Sequence, residues 1–509
     1  MTINDTQEDL LPISQGFQTQ PQVLNPVECK VIGKIPNYVQ GALYRAGPGT
    51  MHVDQVDGKR YETQHWFDGL AQIHRFEIEN EKVTYRSRNT ATALEEKIRQ
   101  GESRGNSFAQ DVCQVVFSKS STVMKESRKD DLNPLEMTNV SVVVAVDYPG
   151  VQNPDVVTIL TDHVKIQNLD WKTLEPQSLY TYEKFNPKFA GVLSAAHPSV
   201  DAAKKETWQF TTVFGPRSGY NVFTISDENP EGELVEFVEA PPAYIHSSFI
   251  TEHYYVLAVP PLYVNGMELM QKHNVAQSLH FDESAGCVFY VFDRAARKHV
   301  ATYQAPSFFF FHSINSFERD GDLILDVVGY NDGSIVQALY FANLRKKIPY
   351  LEKAAPQHTR RYVLSDIASV ESPKNILQAT FSTLAKGVYP ELPRINDSYF
   401  AKPYTYYYAI NLNDPTAVNA YIANSLSKVN VKTEDYWVWK EEHCLPGEPI
   451  FIANPEGTEE DDGVLLSVVL DEAKGASFLL VLDAKTMKEI ARAETNSVVP
   501  FGFHGAFKA

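Results

Sequence analysis

The chain has 509 residues, 43% of them apolar and 12% aromatic, with a formal net charge of −18 and a pI near 5.3. That acidity argues against nucleic acid as a partner and against general attraction to anionic membranes, since both need clustered Lys and Arg. Length alone suggests about three domains, a prior that repetitive β architectures break. The four cysteines, Cys29, Cys113, Cys287 and Cys444, are widely spaced with no CxxC pair, so neither a thiolate zinc site nor a disulfide framework is expected. The polar, acidic start lacks the basic and apolar regions of a signal peptide, and no apolar run approaches the roughly 20 residues that span a bilayer. A reducing, cytoplasmic setting is the default.

In chain order, residues 1–35 read as an arm and residues 36–509 as one β domain. The stretch 71–88, AQIHRFEIENEKVTYRSR, predicts a hairpin, with two alternating runs joined by Glu79-Asn80-Glu81-Lys82. Residues 94–112 are polar and charged and predict a helix followed by a loop, the start of an insertion running to about 135. From Val140 short β-rich pieces return at the 8–12-residue beat of an all-β fold. SIVQALYFANLRKK, near 334–347, is the best helical pattern in the second half. Many four-strand groups without a composition break predict a β-propeller; seven blades of about 50 residues would use about 350 residues and leave the rest for loops and a cap. No crisp blade repeat is present, and a pair of β-sandwich domains is the competing architecture.

Four of the 14 histidines share similar company, at strand ends beside small or apolar residues. They are His197 (SAAHPSV), His246 (AYIHSSFI), His312 (FFFFHSINSF) and His504 (FGFHGAF). Each alone reads as a hydrogen-bonded core histidine. None forms a local metal motif. The inner strands of propeller blades point at one axis, however, so widely spaced histidines can converge on one ion there. Imidazole suits iron, zinc, copper and nickel alike. Such a site needs carboxylates that accept the other imidazole N–H. Asp162, Glu391 and Glu448 lie in apolar company and are candidates, although a turn or surface carboxylate is the ordinary reading of each.

The chain resembles the carotenoid cleavage oxygenases, non-haem iron enzymes that split conjugated double bonds. The matching stretches include LYRAGPG, HWFDGLAQIHRF, AAHPSV, YIHSSFITEHYYV, FHSINSFE, ELPRIN, GEPIFIANP, EEDDGVLLSVVLD and GFHG, and they run in family order from about residue 40 to the C-terminus. The resemblance implies a seven-bladed propeller with a loop-and-helix cap over the metal face. It implies one Fe(2+) held by His197, His246, His312 and His504, with O2 as co-substrate. It pairs Asp162 with His246, Glu391 with His312 and Glu448 with His504, and leaves His197 without an acid. The family usually has Glu where this chain has Asp162, one methylene shorter, which leaves open whether that contact is direct or through water.

The implied chemistry adds both oxygens across one C=C bond and needs no protein acid or base; the protein holds one double bond in an apolar, water-poor tunnel. A carotenoid or apocarotenoid is the preferred substrate. The alternative is a phenolic stilbene or phenylpropenoid. Stilbene-cleaving members carry a Lys beside the first of these acids and a Tyr upstream. Here Thr161 precedes Asp162 and the upstream stretch DDLNPLEMTNV (130–140) has no Tyr, though Lys165 is close. Thr161, Lys165 and Phe311 are candidate substrate contacts. A propeller that binds a hydrophobic ligand without turnover is the non-enzymatic alternative. His65 and His74 read as structural, and most remaining histidines as surface residues. The loop around Cys113 aligns with a lipid-dipping patch of membrane-bound relatives but is only mildly apolar, so at most weak peripheral membrane contact and a monomer are expected. GTEEDDG (457–463) lacks the spacing of an EF-hand and reads as a strand-connecting turn.

Overall fold

The computed structural model describes residues 12–102, 132–272, 274–345, 357–411 and 423–509. The loop around Cys113 lies outside them. Short strands rich in Val, Ile, Phe and Tyr suit a pleated, half-buried surface, and they build a propeller-like arrangement of antiparallel sheets. Five sheets follow one another along the chain, spanning 143–181, 199–239, 249–305, 309–384 and 390–439. The third also takes Ile376–Gln378 in parallel against Lys298–Ala305.

A ten-stranded sheet joins the two ends of the chain. In it Gly505–Lys508 pairs with Gly41–Thr50, setting Tyr44 opposite Ala506. The first half of Val27–Gly33, up to Cys29, pairs with Lys82–Asn89, and its second half, from Lys30, pairs with Lys488–Glu494. The predicted hairpin is present as Leu70–Glu79 and Lys82–Asn89. Its two-residue turn, Asn80-Glu81, has φ of 51° and 64°, the left-handed pair that matches strand twist.

Apolar side chains fill the spaces between neighbouring sheets. Phe249, Phe289, Phe308, Phe310 and Tyr362 pack between the third and fourth. A further cluster around Phe309, Phe311, Tyr330, Leu339 and Phe341 sits on the inner side. Thr92–Arg99 is a helix, as the charged stretch predicts. The predicted helix near 334–347 is instead two short pieces, Ser334–Ala338 and Phe341–Leu344. The break has a tertiary cause: Leu339 accepts from the Trp66 N–H at 3.0 Å, and the Phe341 N–H donates to Gln64 at 2.8 Å. Those bonds hold Tyr340 extended (φ −68°, ψ 139°), which local helical pattern does not override. Cys29, Cys287 and Cys444 are buried free thiols. No described helix is long and apolar enough to cross a membrane.

Candidate metal centre

His312 lies in the strand Phe309–Arg319. Its pairing with Asp322–Tyr330 runs Phe310 opposite Gly329, then Ser313 opposite Val327. Three steps on one strand match two on the other, so the strand bulges at Phe311 and His312. In a regular strand these neighbours would face opposite sides; here both border one cavity. Before the bulge the alternation holds. Phe308 and Phe310 go between sheets, the former stacked 4.5 Å from Tyr362, and Phe309 goes to the inner cluster.

His197, His246 and His504 lie just before the strands Ser199–Asp201, Phe249–Ile250 and Gly505–Lys508. Cross-links hold these inner segments side by side. The His197 N–H donates to the His246 carbonyl at 3.1 Å, and the His504 N–H to the Val142 carbonyl at 3.1 Å. The Ser247 hydroxyl donates to the Phe311 carbonyl. The result brings four residues that together span 307 positions of sequence to one point. His504 Nε2 is 2.9 Å from His197 Nε2 and 3.0 Å from His312 Nε2, and one nitrogen from each of the four rings lies within 4.8 Å of the others.

Behind three of the rings stand the three carboxylates picked out from the sequence. His246 Nδ1 lies 2.8 Å from Asp162 Oδ1, His312 Nδ1 2.5 Å from Glu391 Oε2, and His504 Nδ1 2.8 Å from Glu448 Oε1. The Asp162 contact is direct despite the shorter side chain. His197 has no carboxylate partner among the described residues.

Burial pushes His504 down to about 3, with Glu448 opposing; burial and then the neighbouring imidazoles hold His197 well below its ordinary value. Burial works to raise Glu391, but His312, the Tyr330 hydroxyl and the Leu392 N–H bring it below the usual range. Burial likewise opposes Glu448, and Arg394, His504 and Arg45 outweigh it, holding this carboxyl well below the usual range.

This donor set fits a cation. An ionised carboxylate only accepts, so the Nδ1 of His312 and of His504 each carry a proton, and in the metal-binding tautomer that this sets, Nε2 presents a lone pair. Two lone pairs facing each other at 3.0 Å repel unless a positive charge lies between them. Two nitrogens about 2.1 Å from one ion at a right angle would stand about 3 Å apart.

The adjoining cavity is apolar. Trp66, Phe67, Phe311, Leu339, Phe501 and Phe503 border it together with His246, His312 and His504. Phe311 lies 5.4 Å from the His246 ring and 6.0 Å from Phe67, which is 5.4 Å from Phe503. Trp66 and Phe67 belong to the HWFDGLAQIH stretch, whose two histidines the resemblance marks as structural. His65 is structural as expected, and it supplies the reason those rings face inward. Its Nδ1 accepts from the Phe67 N–H at 3.1 Å and its Nε2 donates to the Val336 carbonyl at 2.8 Å, fixing the turn Trp66–Asp68. His74 is also structural, 3.0 Å from the Tyr85 hydroxyl and pushed by burial to about 3.

Of the three candidate substrate contacts, Phe311 borders the cavity. Thr161 and Lys165 are not among its lining residues, and the Lys165 ammonium donates to the Thr138 hydroxyl at 2.8 Å. The acidic run connects the strands Ile450–Ala453 and Gly463–Asp471, as expected. Its middle acids are buried: Glu460 accepts from the Thr405 and Tyr406 N–H groups, and Asp461 pairs with the buried Lys428.

The sequence profile of the family described as "Retinal pigment epithelial membrane protein" matches residues 16–509. A "Carotenoid dioxygenase" of Neurospora crassa is 31% identical over 562 residues, covering 97% of this chain and 90% of the relative. A "Beta,beta-carotene 15,15'-dioxygenase" of Gallus gallus is 29% identical, covering 95% of each. Among solved structures, a mutant of the Synechocystis apocarotenoid oxygenase superposes with a TM-score of 0.77 at 22% identity over 98% of both chains. The cobalt-substituted form of that oxygenase gives 0.74 at 21% identity; likeness at this identity speaks to the fold alone. With a family profile matched over nearly its whole length, and that fold, the chain belongs to the carotenoid cleavage oxygenase family.

Proposed function

We propose that this oxygenase cleaves one conjugated C=C bond of a carotenoid or apocarotenoid with O2, giving two carbonyl products, at an Fe(2+) ion held by His197, His246, His312 and His504. The observation that carries the reading is the meeting of four imidazoles, three braced by carboxylates, at the wall of an aromatic cavity. When bound, the ion would supply the O2 activation that no side chain can. Four neutral ligands would leave it its full +2 charge, unlike a site with a carboxylate ligand.

The remaining work falls to this chain's residues. Asp162, Glu391 and Glu448 fix the three Nδ1–H tautomers and so aim the opposite nitrogens inward. Phe311, Phe67 and Phe503 offer apolar faces beside them, which favour a polyene over water and hold its chain next to the centre. No proton needs to be given or taken by a side chain, which agrees with a cavity whose ionised groups all brace histidines.

The ten-stranded sheet reads as two further blades sharing Val27–Gly33 along their outer edges, which makes seven with the five separate sheets. The helix Thr92–Arg99 and the broken helix after Ser334 would form part of a cap over the metal face, and residues 36–509 one domain with insertions including 94–135. Each chain carries a full set of ligands, so a monomer suffices, working in a reducing, cytoplasmic setting on a hydrophobic alkene. A phenolic alkene is disfavoured because Lys165 is committed to Thr138.

The test is incubation of iron-loaded protein with β-carotene, an apocarotenal, resveratrol and isoeugenol, with products identified by mass. Two carbonyl fragments from a carotenoid or apocarotenoid are expected. Fragments from resveratrol or isoeugenol alone would move the substrate to phenolic alkenes, and binding without fragments would leave a ligand-binding propeller.

A further inference from the structure

Each bracing carboxylate has a second oxygen, filled in one case by an arginine and a backbone N–H and in the other two by a tyrosine hydroxyl. For Glu448 the neighbours are Arg45 and the Gly505 N–H, and for Glu391 the Tyr330 hydroxyl. For Asp162 it is the Tyr244 hydroxyl, 2.8 Å from Oδ2. Tyr244 is 2% exposed, with its ring 6.0 Å from Phe309 and 6.3 Å from Phe311. A hydroxyl has one proton to give, and here it goes to Asp162. The phenol oxygen is therefore an acceptor towards His246 Nδ1, 3.3 Å away. That Nδ1–H is shared between Asp162 Oδ1 at 2.8 Å and Tyr244. The three groups close a triangle. Asp162 is further anchored by its own carbonyl, which accepts from the Ser194 N–H at 3.0 Å.

A short carboxylate held at both oxygens cannot swing away from its imidazole. With the phenol removed, Oδ2 is left buried without this donor, and the side chain turns to seek another, carrying Oδ1 off the His246 line. We propose that Tyr244 is a positioning residue of the metal centre: its hydroxyl, by holding Asp162, sets the orientation of His246 and thereby the affinity of the four-histidine site for a divalent cation. The inference rests on the reading of that site as a cation site.

The test is titration of the full-length metal-free protein with Co(II), followed by its visible absorption bands. Wild type is expected to bind one equivalent, and Tyr244→Phe to bind about tenfold more weakly with shifted bands, the lower end of the range for outer hydrogen-bond partners. Because Tyr244 acts through Asp162, the double variant Tyr244→Phe/Asp162→Asn should bind no more weakly than Asp162→Asn alone. Wild-type affinity and bands in Tyr244→Phe, or fully additive losses in the double variant, would overturn the inference. Failure of wild type to bind Co(II) would instead overturn the metal site beneath it. Should Tyr244→Phe not fold, Tyr244→3-fluorotyrosine keeps the shape and strengthens the donor. Shifted bands then support the role, and unshifted bands overturn it.

Discussion

Replacing Glu448 with glutamine tests how much of the centre rests on one buried charge. Four donors converge on this carboxylate: His504 Nδ1 at 2.8 Å and Arg394 Nε at 2.8 Å on one oxygen, Arg45 and the Gly505 N–H at 2.9 Å on the other. Glu448 and Arg45 are 1% and 3% exposed. Glutamine keeps the shape, but its amide nitrogen turns a donor towards donors, so at most two of the four bonds survive. Loss of the anion also leaves the buried Arg45 charge uncompensated. Breaking a buried pair in this way costs about 3–5 kcal/mol, against a total stability of about 5–15 kcal/mol for a typical protein.

The assay is urea unfolding of the metal-free protein, which separates stability from metal binding. Glu448→Gln should lower the midpoint at unchanged slope by an amount equivalent to about 3–5 kcal/mol, and metal affinity should fall as well because His504 loses its brace. A variant with the wild-type midpoint would refute the claim that this carboxylate holds the two arginines and His504 together.

Other consequences follow from the same contacts. Phe311→Ala should lower stability by about 3–5 kcal/mol and broaden the set of bonds cut, read by product mass, because a phenyl ring 5.4 Å from the His246 ring no longer bounds the cavity. Lys165→Ala should leave cleavage rates at the wild-type level, since that ammonium is held by Thr138 away from the cavity lining; a large loss would revive a phenol-binding role. Acid should destabilise the metal-free protein in two stages. Glu448 and Glu391 have folded values below their unfolded ones, so their stabilisation is present above about pH 4.3 and is lost as pH falls further, through the folded values. His504 has a folded value of about 3 against about 6.5 unfolded, so the unfolded state binds the extra proton and stability already declines as pH drops below about 6.5. Urea midpoints between pH 8 and pH 4 check the sign; a midpoint that rises on acidification contradicts it.

The four histidines stand out in the sequence by their apolar company, but each alone reads as a core histidine and each carboxylate as a turn or surface residue, so it is the family resemblance that joins them into one site. What could not be read was the third tier. Tyr244, Tyr330, Arg45 and Arg394 are ordinary strand residues by pattern, and only the convergence of distant strands gives them carboxylates to hold. Phe311 and His312 were legible as strand residues, but two-residue alternation puts them on opposite faces; the bulge that turns both to the cavity depends on the register with Asp322–Tyr330. The helix expected over 334–347 failed for a similar reason, since the backbone of Gln64 and Trp66 takes Leu339 and Phe341 out of helical pairing. The inward placing of Trp66 and Phe67 was not legible because nothing local shows that His65 clamps their turn against Val336.

The central claim is that four histidines hold one ion. It is tested most directly by the iron content per chain of the purified wild type beside His312→Ala. One iron per wild-type chain and essentially none in the variant are predicted. Equal iron in both, or none in a wild type that cleaves its substrate, would contradict the account.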